Sequence, residues 1–561
     1  MRGFDAEHGQ DIELTVGAVP LNQPSHIHGQ GYTDLNFIIP ETVRSLRVTE
    51  GVSDPRQGDF AVAGSIHFDL AVPERGLHSK TSYGSFGQFR QLLLWAPKDE
   101  PDETFGAFAF HRTDGFGQNR GGQSASAMGQ LAFAGPLATS GLLHVAAAGA
   151  RANLAGVIRR DDVQAGNVDF YGTYADPSAQ SQSAFTNRYQ AALTLEKANE
   201  EGDRSHASLW VSLTNFRGRF NFTGYVERSR INPEWVGRGD LIEQGNRDLG
   251  LGATFFHRTP RLRPFSWAIG RLEMGLSART NAIDQTQNLL QAPQNETWDR
   301  RVDAAISASD IGAYVDLDAR FGSMVHLRGG LRGDVLHYDV DDRLGNFIPS
   351  FQRASHLVGY RRTALGLAVG PRGTLEFEPL SWLQLAASYG EGYRSPQALQ
   401  LEEGENAPFT KVRAFEGGVR LKPGGGDKLT ASAAAYQTNL SNDLAFDPGE
   451  GRLERIGPTQ RRGLAMHILT KPLHWLLASL SATYVHATLT APPAATAENP
   501  SPAFQPGQLL PYVPPLVVRL DSAITQEISL GEQHFDTRVG IGATALSARP
   551  LPYGRFADPV Y

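Results

Sequence analysis

The chain has 561 residues, a net charge of −7 and no cysteine, which argues against a general nucleic-acid binder and removes disulfide, Cys-zinc and thiol chemistry. Sixty glycines and 33 prolines suit many strands joined by turns. Mean hydropathy is −0.31 and no run of eighteen apolar residues exists, so a bilayer is crossed by strands or not at all. An alternating barrel wall cancels in such an average. Met1-Arg2-Gly3-Phe4-Asp5 lacks the basic and apolar regions of a secretory signal.

The first segment, Arg2 to Phe68, differs in character from the rest. It contains Arg2-Gly3-Phe4, Val19-Pro20-Leu21-Asn22, Gly29-Gln30-Gly31-Tyr32, and Gly58 to Ile66. These pieces resemble the plug of TonB-dependent outer-membrane receptors, with its Arg-Gly-Phe strand, Asp-Gly-Val-Pro-Leu turn and closing Gly-x-x-x-x-x-Gly-x-Ile stretch. The Asp-Gly of that turn is Gly17-Ala18 here. The resemblance covers only the later part of a plug, without the TonB box that lies upstream in such receptors. It implies a partial plug domain over residues 1–75 and a transmembrane barrel over 76–561.

Beyond the plug, strand segments alternate with period two. Ile311, Ala313, Val315, Leu317, Ala319 and Phe321 share one face, and Gly312, Tyr314, Asp316, Asp318 and Arg320 the other. Charges on one face cannot meet lipid and must line a wet lumen. The segments 207–213, 325–332 and 535–543 repeat the pattern, with Trp210 as an exception. Trp95, Trp210, Trp382 and Trp475 are expected in the interface girdles.

Connections are of two kinds. Short ones fall at 97–103, 135–140, 198–203, 259–264, 321–324, 378–381, 422–427, 471–473 and 530–533. Long ones fall at 113–123, 159–186, 218–246, 283–305, 339–360, 391–410, 440–458 and 490–514. Their alternation is the asymmetry of outer-membrane barrels, with short periplasmic turns and long outer loops. The expected fold is therefore all-β, a transmembrane antiparallel barrel of about nineteen strands. Receptors of the family have 22 strands, so about three closing strands are expected beyond the chain, which would leave an open edge.

A second zone, Tyr389-Gly390-Glu391-Gly392-Tyr393-Arg394-Ser395-Pro396, resembles the family's Gly-Phe-Arg-x-Pro stretch. It is followed by Phe415-Glu416-Gly417-Gly418-Val419 and a strand ending Ala435-Tyr436-Gln437-Thr438-Asn439-Leu440-Ser441-Asn442.

No catalytic motif is present, neither a Gly-x-Ser-x-Gly elbow nor His-Glu-x-x-His, so the chain is not expected to be an enzyme or to carry a cofactor. Asp339-Val340-Asp341-Asp342 resembles a calcium loop, but Leu344 stands where that loop needs glycine. Arg238-Gly239-Asp240 is read as chance. His26 and His28 are two residues apart, which in an extended segment puts both imidazoles on one side. Read functionally, they bind a metal chelate or polar solute; read structurally, they are loop histidines, the reading favoured by the missing third ligand. No resident metal site is expected.

Tyr32, Tyr393 and Arg394 complete the candidate ligand-binding residues. Arg47 and Arg56 are expected to face lumen carboxylates such as Asp316 and Asp318, either as a plug lock or as plain charge balance. The resemblance implies a receptor for a scarce ligand, with ferric siderophore as default, energised by a TonB-type inner-membrane complex and seated in outer-membrane lipid. A passive porin-like channel and a nonfunctional receptor fragment are the rivals.

Overall fold

The computed structural model describes residues 1–4, 8–199, 202–224, 241–291, 293–344, 360–401, 409–426, 428–447, 451–491, 506–530 and 533–550. Arg238-Gly239-Asp240 lies outside them. Four strands, β1 (Ile12–Val16), β2 (Val19–Pro20), β3 (Val43–Glu50) and β4 (Gly64–Leu70), form a small sheet in the order β2-β1-β4-β3. Gly17, at φ +53°, turns the β1–β2 hairpin. β4 lies parallel to β1 and antiparallel to β3. Gly64 opens β4 at φ +149°, where a Cβ would stand 2.2 Å from the Thr49 carbonyl oxygen, so β3 approaches only because no side chain is there.

From Gly76 onward the described residues form twenty strands. Nineteen are long; the other, Leu262–Phe265, is a four-residue strand pairing with the start of Ala268–Gln291. Each long strand pairs antiparallel with the next, and the order returns from Gln533–Leu546 to Gly76–Gly84, enclosing the small sheet. Nineteen antiparallel strands bring two strands of the same direction together there, and that junction is where the sequence reading places an open edge.

Alternation builds this wall. Ile311, Val315 and Leu317 are exposed while Asp316 is buried, so the apolar face points outward to lipid and the charged face inward. Trp95 and Trp382 lie exposed on the outer surface. Trp210 does not join them. It is buried inward against Val19 and Ala192, because it stands on the lumenal parity of its strand.

Most of the stretch 283–305, expected as a long loop, is instead strand, over 283–291 and 296–305. Ala268–Gln291 and Glu296–Phe321 form a hairpin whose ladder runs on to the Gln291–Glu296 pair. Its inward side chains Ile283, Leu289, Val302, Ala304 and Ile306 are buried, and burial of that face extends the pairing. The 440–458 stretch behaves similarly, with strand continuing to Asp447 and resuming at Arg452.

The inner sheet is seated by apolar packing on one side of the lumen. Leu14, Val16, Leu21, Phe37, Ile39 and Leu70 pack against Leu92, Leu94, Phe105, Ala107, Met128 and Ala146 of the wall. A smaller cluster joins Phe4, Val52 and Val62 to Val412, Ala414 and Leu440. Gly390 marks one of the tightest approaches, where a Cβ would stand 2.1 Å from the Val52 carbonyl oxygen.

Candidate functional site at the plug apex

The segment after β2 carries the histidine pair, and Asn22 shapes it. Its Oδ1 accepts from the Leu14 amide at 2.8 Å, and its Nδ2 donates to the Gly9 and Ile12 carbonyls at 2.9 and 2.8 Å. The wall then clasps the loop. Arg279 donates to the Asn22 carbonyl at 2.6 Å, Asn246 to the Gln23 side chain at 3.0 Å, and Gln30 to the Ser395 carbonyl at 3.1 Å. The Gln285 amide, oriented with its oxygen toward the loop, accepts from the His26 and Ile27 amides at 3.2 and 3.3 Å.

His26 and His28 both sit in this clasp, but not as an extended pair facing one way. The chain turns between them, and the His28 amide donates to His26 Nδ1 at 3.1 Å. The His26 ring stacks on Tyr32 at 4.2 Å and meets Phe216 edge-on at 4.9 Å. The His28 ring stacks on Phe220 at 4.9 Å, and its Nδ1 lies 2.9 Å from Gln244 Oε1. His8 meets His28 edge-on at 4.8 Å, while Phe446 stacks on His8 at 6.0 Å and meets Phe222 edge-on at 5.0 Å. Three imidazoles, one phenol and four phenyl rings thus close over the apex of the plug.

Burial decides the charge of this rosette. It lowers His8 to about 4, His28 to about 3 and His26 well below its ordinary range. All three imidazoles are neutral near pH 7, the state that accepts hydrogen bonds and ligates metals. Among the described residues no three His, Cys, Asp or Glu side chains converge as a metal site. The Asp339–Asp342 stretch is engaged in ion pairs with Arg361 and Arg362.

Sequence reasoning found His26, His28 and Tyr32, and the structure brings them together. It missed His8, Phe216, Phe220, Phe222 and Phe446. Phe216 and Phe220 share the lumenal parity of their strand, a signal the period-two pattern carried, and Phe222 lies two residues beyond the strand's end. Phe446 is brought in from a distant strand by closure of the wall.

Tyr393 and Arg394 belong to a different assembly, the seam between plug and wall. The Tyr393 hydroxyl donates to Asp310 at 2.9 Å. Arg394 is buried in an ion pair with Asp11 of the plug, with Asp443 at 3.7 Å. Arg461 joins Asp443 at 2.8 Å, donates to the Gly3 carbonyl at 2.9 Å and lies 4.0 Å from the centre of the Phe4 ring. Next in the chain, the Ser395 amide donates to Asp59 at 2.7 Å, and its hydroxyl donates to the same carboxylate.

The expected lock of plug arginines on lumen carboxylates has largely the opposite polarity. Arg328 of the wall bridges Asp54 of the plug at 2.8 Å and Asp316 of the wall at 2.6 Å. Arg372 donates to the Asp54 and Gln57 carbonyls at 2.9 and 2.5 Å. Arg56 pairs with Asp54 at 2.7 Å, inside the plug. Arg47 lies 3.7 Å from Asp69, also within the plug, and Asp318 bonds His326 at 2.9 Å within the wall. Of the four expected residues, Arg56 and Asp316 reach the seam, both through Asp54 and Arg328. From the plug, Arg2 reaches Glu416 of the wall at 2.8 Å, and the exposed Arg44 reaches Glu103 at 3.4 Å.

A wall of antiparallel strands filled by a small clasped sheet, with a closed aromatic site at the apex, defines a plugged outer-membrane barrel. The family profile described as TonB dependent receptor-like, beta-barrel matches residues 113–543, and the chain belongs to that family. The family is one of TonB-dependent receptors, so this is a receptor and not an enzyme. No curated relative matches it.

Among solved structures, the chain is similar to the ferric citrate transporter FecA in its unliganded form (13% identity, 100% of this chain and 83% of that one, TM-score 0.71). It is also similar to the siderophore receptor PiuA from Acinetobacter baumannii (14%, 98% and 81%, TM-score 0.69) and to the copper transporter OprC (16%, 98% and 78%, TM-score 0.65). At these identities the likeness is one of fold.

Proposed function

We propose that the chain is a ligand-gated receptor of the outer membrane that takes up a scarce metal chelate, with a ferric siderophore as the first candidate. The observation that carries this reading is the rosette of neutral imidazoles and aromatic rings at the plug apex, beneath the outer loops. Such a surface offers stacking faces to a planar, aromatic or amide-rich chelate, with the Tyr32 hydroxyl and the imidazole nitrogens as polar contacts. His26, His28 and Tyr32 are the proposed ligand-contact residues. Tyr393, Arg394, Arg56 and Asp316 are proposed to hold the plug in the wall. Similar folds described as ferric citrate, siderophore and copper transporters support the substrate class.

In this reading the plug (residues 1–75) is the gate and the barrel (76–561) the frame, and a TonB-type inner-membrane complex supplies the energy. A passive porin-like channel fits less well, because buried ion pairs and apolar clusters hold the plug in place. The test is tryptophan-fluorescence titration of the purified barrel with ferric citrate, a ferric catecholate, a ferric hydroxamate and their iron-free forms, followed by uptake of radioactive iron by cells expressing the protein. The reading requires saturable binding of at least one ferric form, weakened by His26→Ala. Equal, unsaturable signals from every compound, with uptake unchanged by deletion of residues 1–70, would mark a passive channel.

A further inference from the structure

The wall parts at one place. The strand Tyr360–Leu380 pairs with Val325–Asp342 over residues 360–377, but with Leu383–Arg394 only from the Arg372–Gly390 pair to the Leu380–Leu383 pair. Toward the outer end, residues 360–371 have no strand on this edge among the described residues. Leu383–Arg394 runs on past Gly390, paired only with Thr410–Leu421. It leaves the wall by bending inward. Gly370 is on the lumenal side, and a Cβ there would stand 2.3 Å from the Glu391 carbonyl oxygen. Contacts with the plug hold the bend: Arg394 pairs with Asp11, and the Ser395 amide donates to Asp59 at 2.7 Å. The contacts that seat the plug thus open the wall.

The gap lies at the level of the bilayer. Leu365, Leu367, Val369, Leu375 and Phe377 are exposed on the outward face of this strand. With a rise of about 3.3 Å per residue and a tilt of about 45°, Leu365 to Phe377 spans roughly 28 Å, close to the hydrocarbon thickness. The unpaired edge from Leu365 to Pro371 therefore falls in the outer half of the hydrocarbon. Backbone amides and carbonyls without partners are tolerated there only where they line a polar cavity.

Such a cavity is present. A space of about 220 Å³ opens between Leu367, Val369 and Phe409 and reaches Arg332, Asp334, Arg372, Glu391 and Lys411. Arg332 matches Asp334 at 2.5 Å, and Lys411 and Arg413 share Glu391 at 2.5 and 3.1 Å. Arg372 is different. It is 4% exposed and has no carboxylate at ion-pair distance among the described residues. Its Nε donates to the Glu391 carbonyl and its Nη1 to those of Asp54 and Gln57. Nη2 has no acceptor among the described residues and lies beside Gly392, where a Cβ would stand 3.5 Å away. A buried cation short of an anion is costly, and the cavity beside it has room for one.

We propose that the gap is a lateral portal that binds a single-chain acyl carboxylate from the bilayer. The carboxylate accepts from Arg372 Nη2 and from Lys411, and the acyl chain passes between Leu367, Val369 and Phe409 into the lipid. One free guanidinium nitrogen suits a monoanion better than a phosphate, which takes the whole fork. The portal stands apart from the apex rosette and does not depend on what binds there.

The experiment is photolabelling of the full chain in detergent with palmitic acid carrying a diazirine in its chain, the labelled peptides being mapped by mass spectrometry. Labelling is expected to saturate and to concentrate in residues 365–371 and 409–413. The methyl ester of the same probe is expected to label these peptides at least about tenfold less, the scale of one hydrogen bond between charged groups. Arg372→Gln is expected to lose about tenfold on the same scale, and Lys411→Gln about threefold, because its ammonium is partly exposed. Val369→Trp, which crowds the lip from the lipid side, is expected to reduce labelling without a change of charge. Arg361→Gln, at an exposed ion pair beyond the cavity, is expected to label as wild type.

Heat-modifiable migration on gels reports that each variant is folded, and Lys411→Gln stands in if Arg372→Gln is not. Equal labelling by acid and ester, labelling spread evenly over the outward face, or wild-type labelling in the charge variants overturns the portal.

Discussion

Arg394 of the wall and Asp11 of the plug form an ion pair in which both side chains are buried. Asp443 lies on the far side of the same guanidinium at 3.7 Å. One cation from a loop-proximal motif of the barrel thus holds the base of the plug apex, beside Arg461 and Phe4. Removing one member of a buried pair costs about 3–5 kcal/mol, because the partner stays desolvated and unpaired. Arg394→Ala is expected to loosen the plug and produce ion conductance in planar bilayers, where the wild type is closed. Asp11→Asn combined with Arg394→Met removes both charges and is expected to recover most of the closure. Conductance in the double variant as large as in R394A would show that the charge pair is not what seats the plug.

The reversed polarity of the lock separates two arginines that look alike in sequence. Arg328 bridges Asp54 and Asp316, both buried, whereas Arg47 is exposed and lies 3.7 Å from Asp69. Arg328→Ala is expected to destabilise the plug by about 2 kcal/mol or more, and Arg47→Ala by less than about 0.5 kcal/mol. Hydrogen exchange of the plug amides in the assembled protein reads both. Similar protection in the two variants would be incompatible with the bridge.

Glu13 on β1 is partly buried, and desolvation pushes its carboxyl up to about 7, against the pull of Arg332, the Gly58 amide and Arg372. The folded plug therefore keeps this proton where the unfolded chain has lost it. That contribution to stability is fully present below the ordinary carboxylate pKa of about 4.5 and is lost as pH rises to about 7. Glu13→Gln removes the titration. The melting temperature of the variant minus that of the wild type is expected to increase across this interval and level off above it. A difference that is flat with pH would show that Glu13 does not titrate there.

The histidines have the opposite sign. Burial lowers His8 to about 4 and His28 to about 3, so the unfolded chain takes up protons first. Their contribution is present above about 6.5 and is lost as pH falls through 4 and 3.

For ligand binding, His28→Phe keeps a ring on Phe220 and deletes the nitrogen facing Gln244, while His28→Ala deletes both. If the imidazole nitrogen contacts the chelate, both variants lose about tenfold or more in affinity, the scale of one polar contact of about 1.4 kcal/mol. Wild-type affinity in His28→Phe alone would restrict His28 to packing. Fluorescence titration with the ferric ligand found in the panel decides it.

Much of the architecture was legible because period-two alternation is a local property. The outward Ile311, Val315 and Leu317 against the inward Asp316, and the count of about nineteen long strands, followed from residues adjacent in sequence. The exceptions have physical causes. Trp210 reads as a girdle residue by type, but parity sends it into the lumen against Val19. The 283–305 stretch reads as loop by its polarity, yet its inward residues Leu289, Val302 and Ile306 find burial beyond the bilayer and keep the strands paired. His26, His28 and Tyr32 were visible as a short polar-aromatic segment, but not their partners.

By itself, then, the sequence determined the class of the protein: strands of alternating face, long and short connections in turn, and a plug-like start. What it left open was who meets whom across the lumen. Arg394 finds Asp11 from 383 positions away, and Arg328 finds Asp54 from 274. His8 and His28 of the plug face Phe446 only because the wall wraps round them. Alternation specifies which side a residue faces and nothing about the height or the angle around the ring at which it arrives. Those are set by register and closure, which belong to the whole sheet, and they decided both the site at the apex and the polarity of the lock.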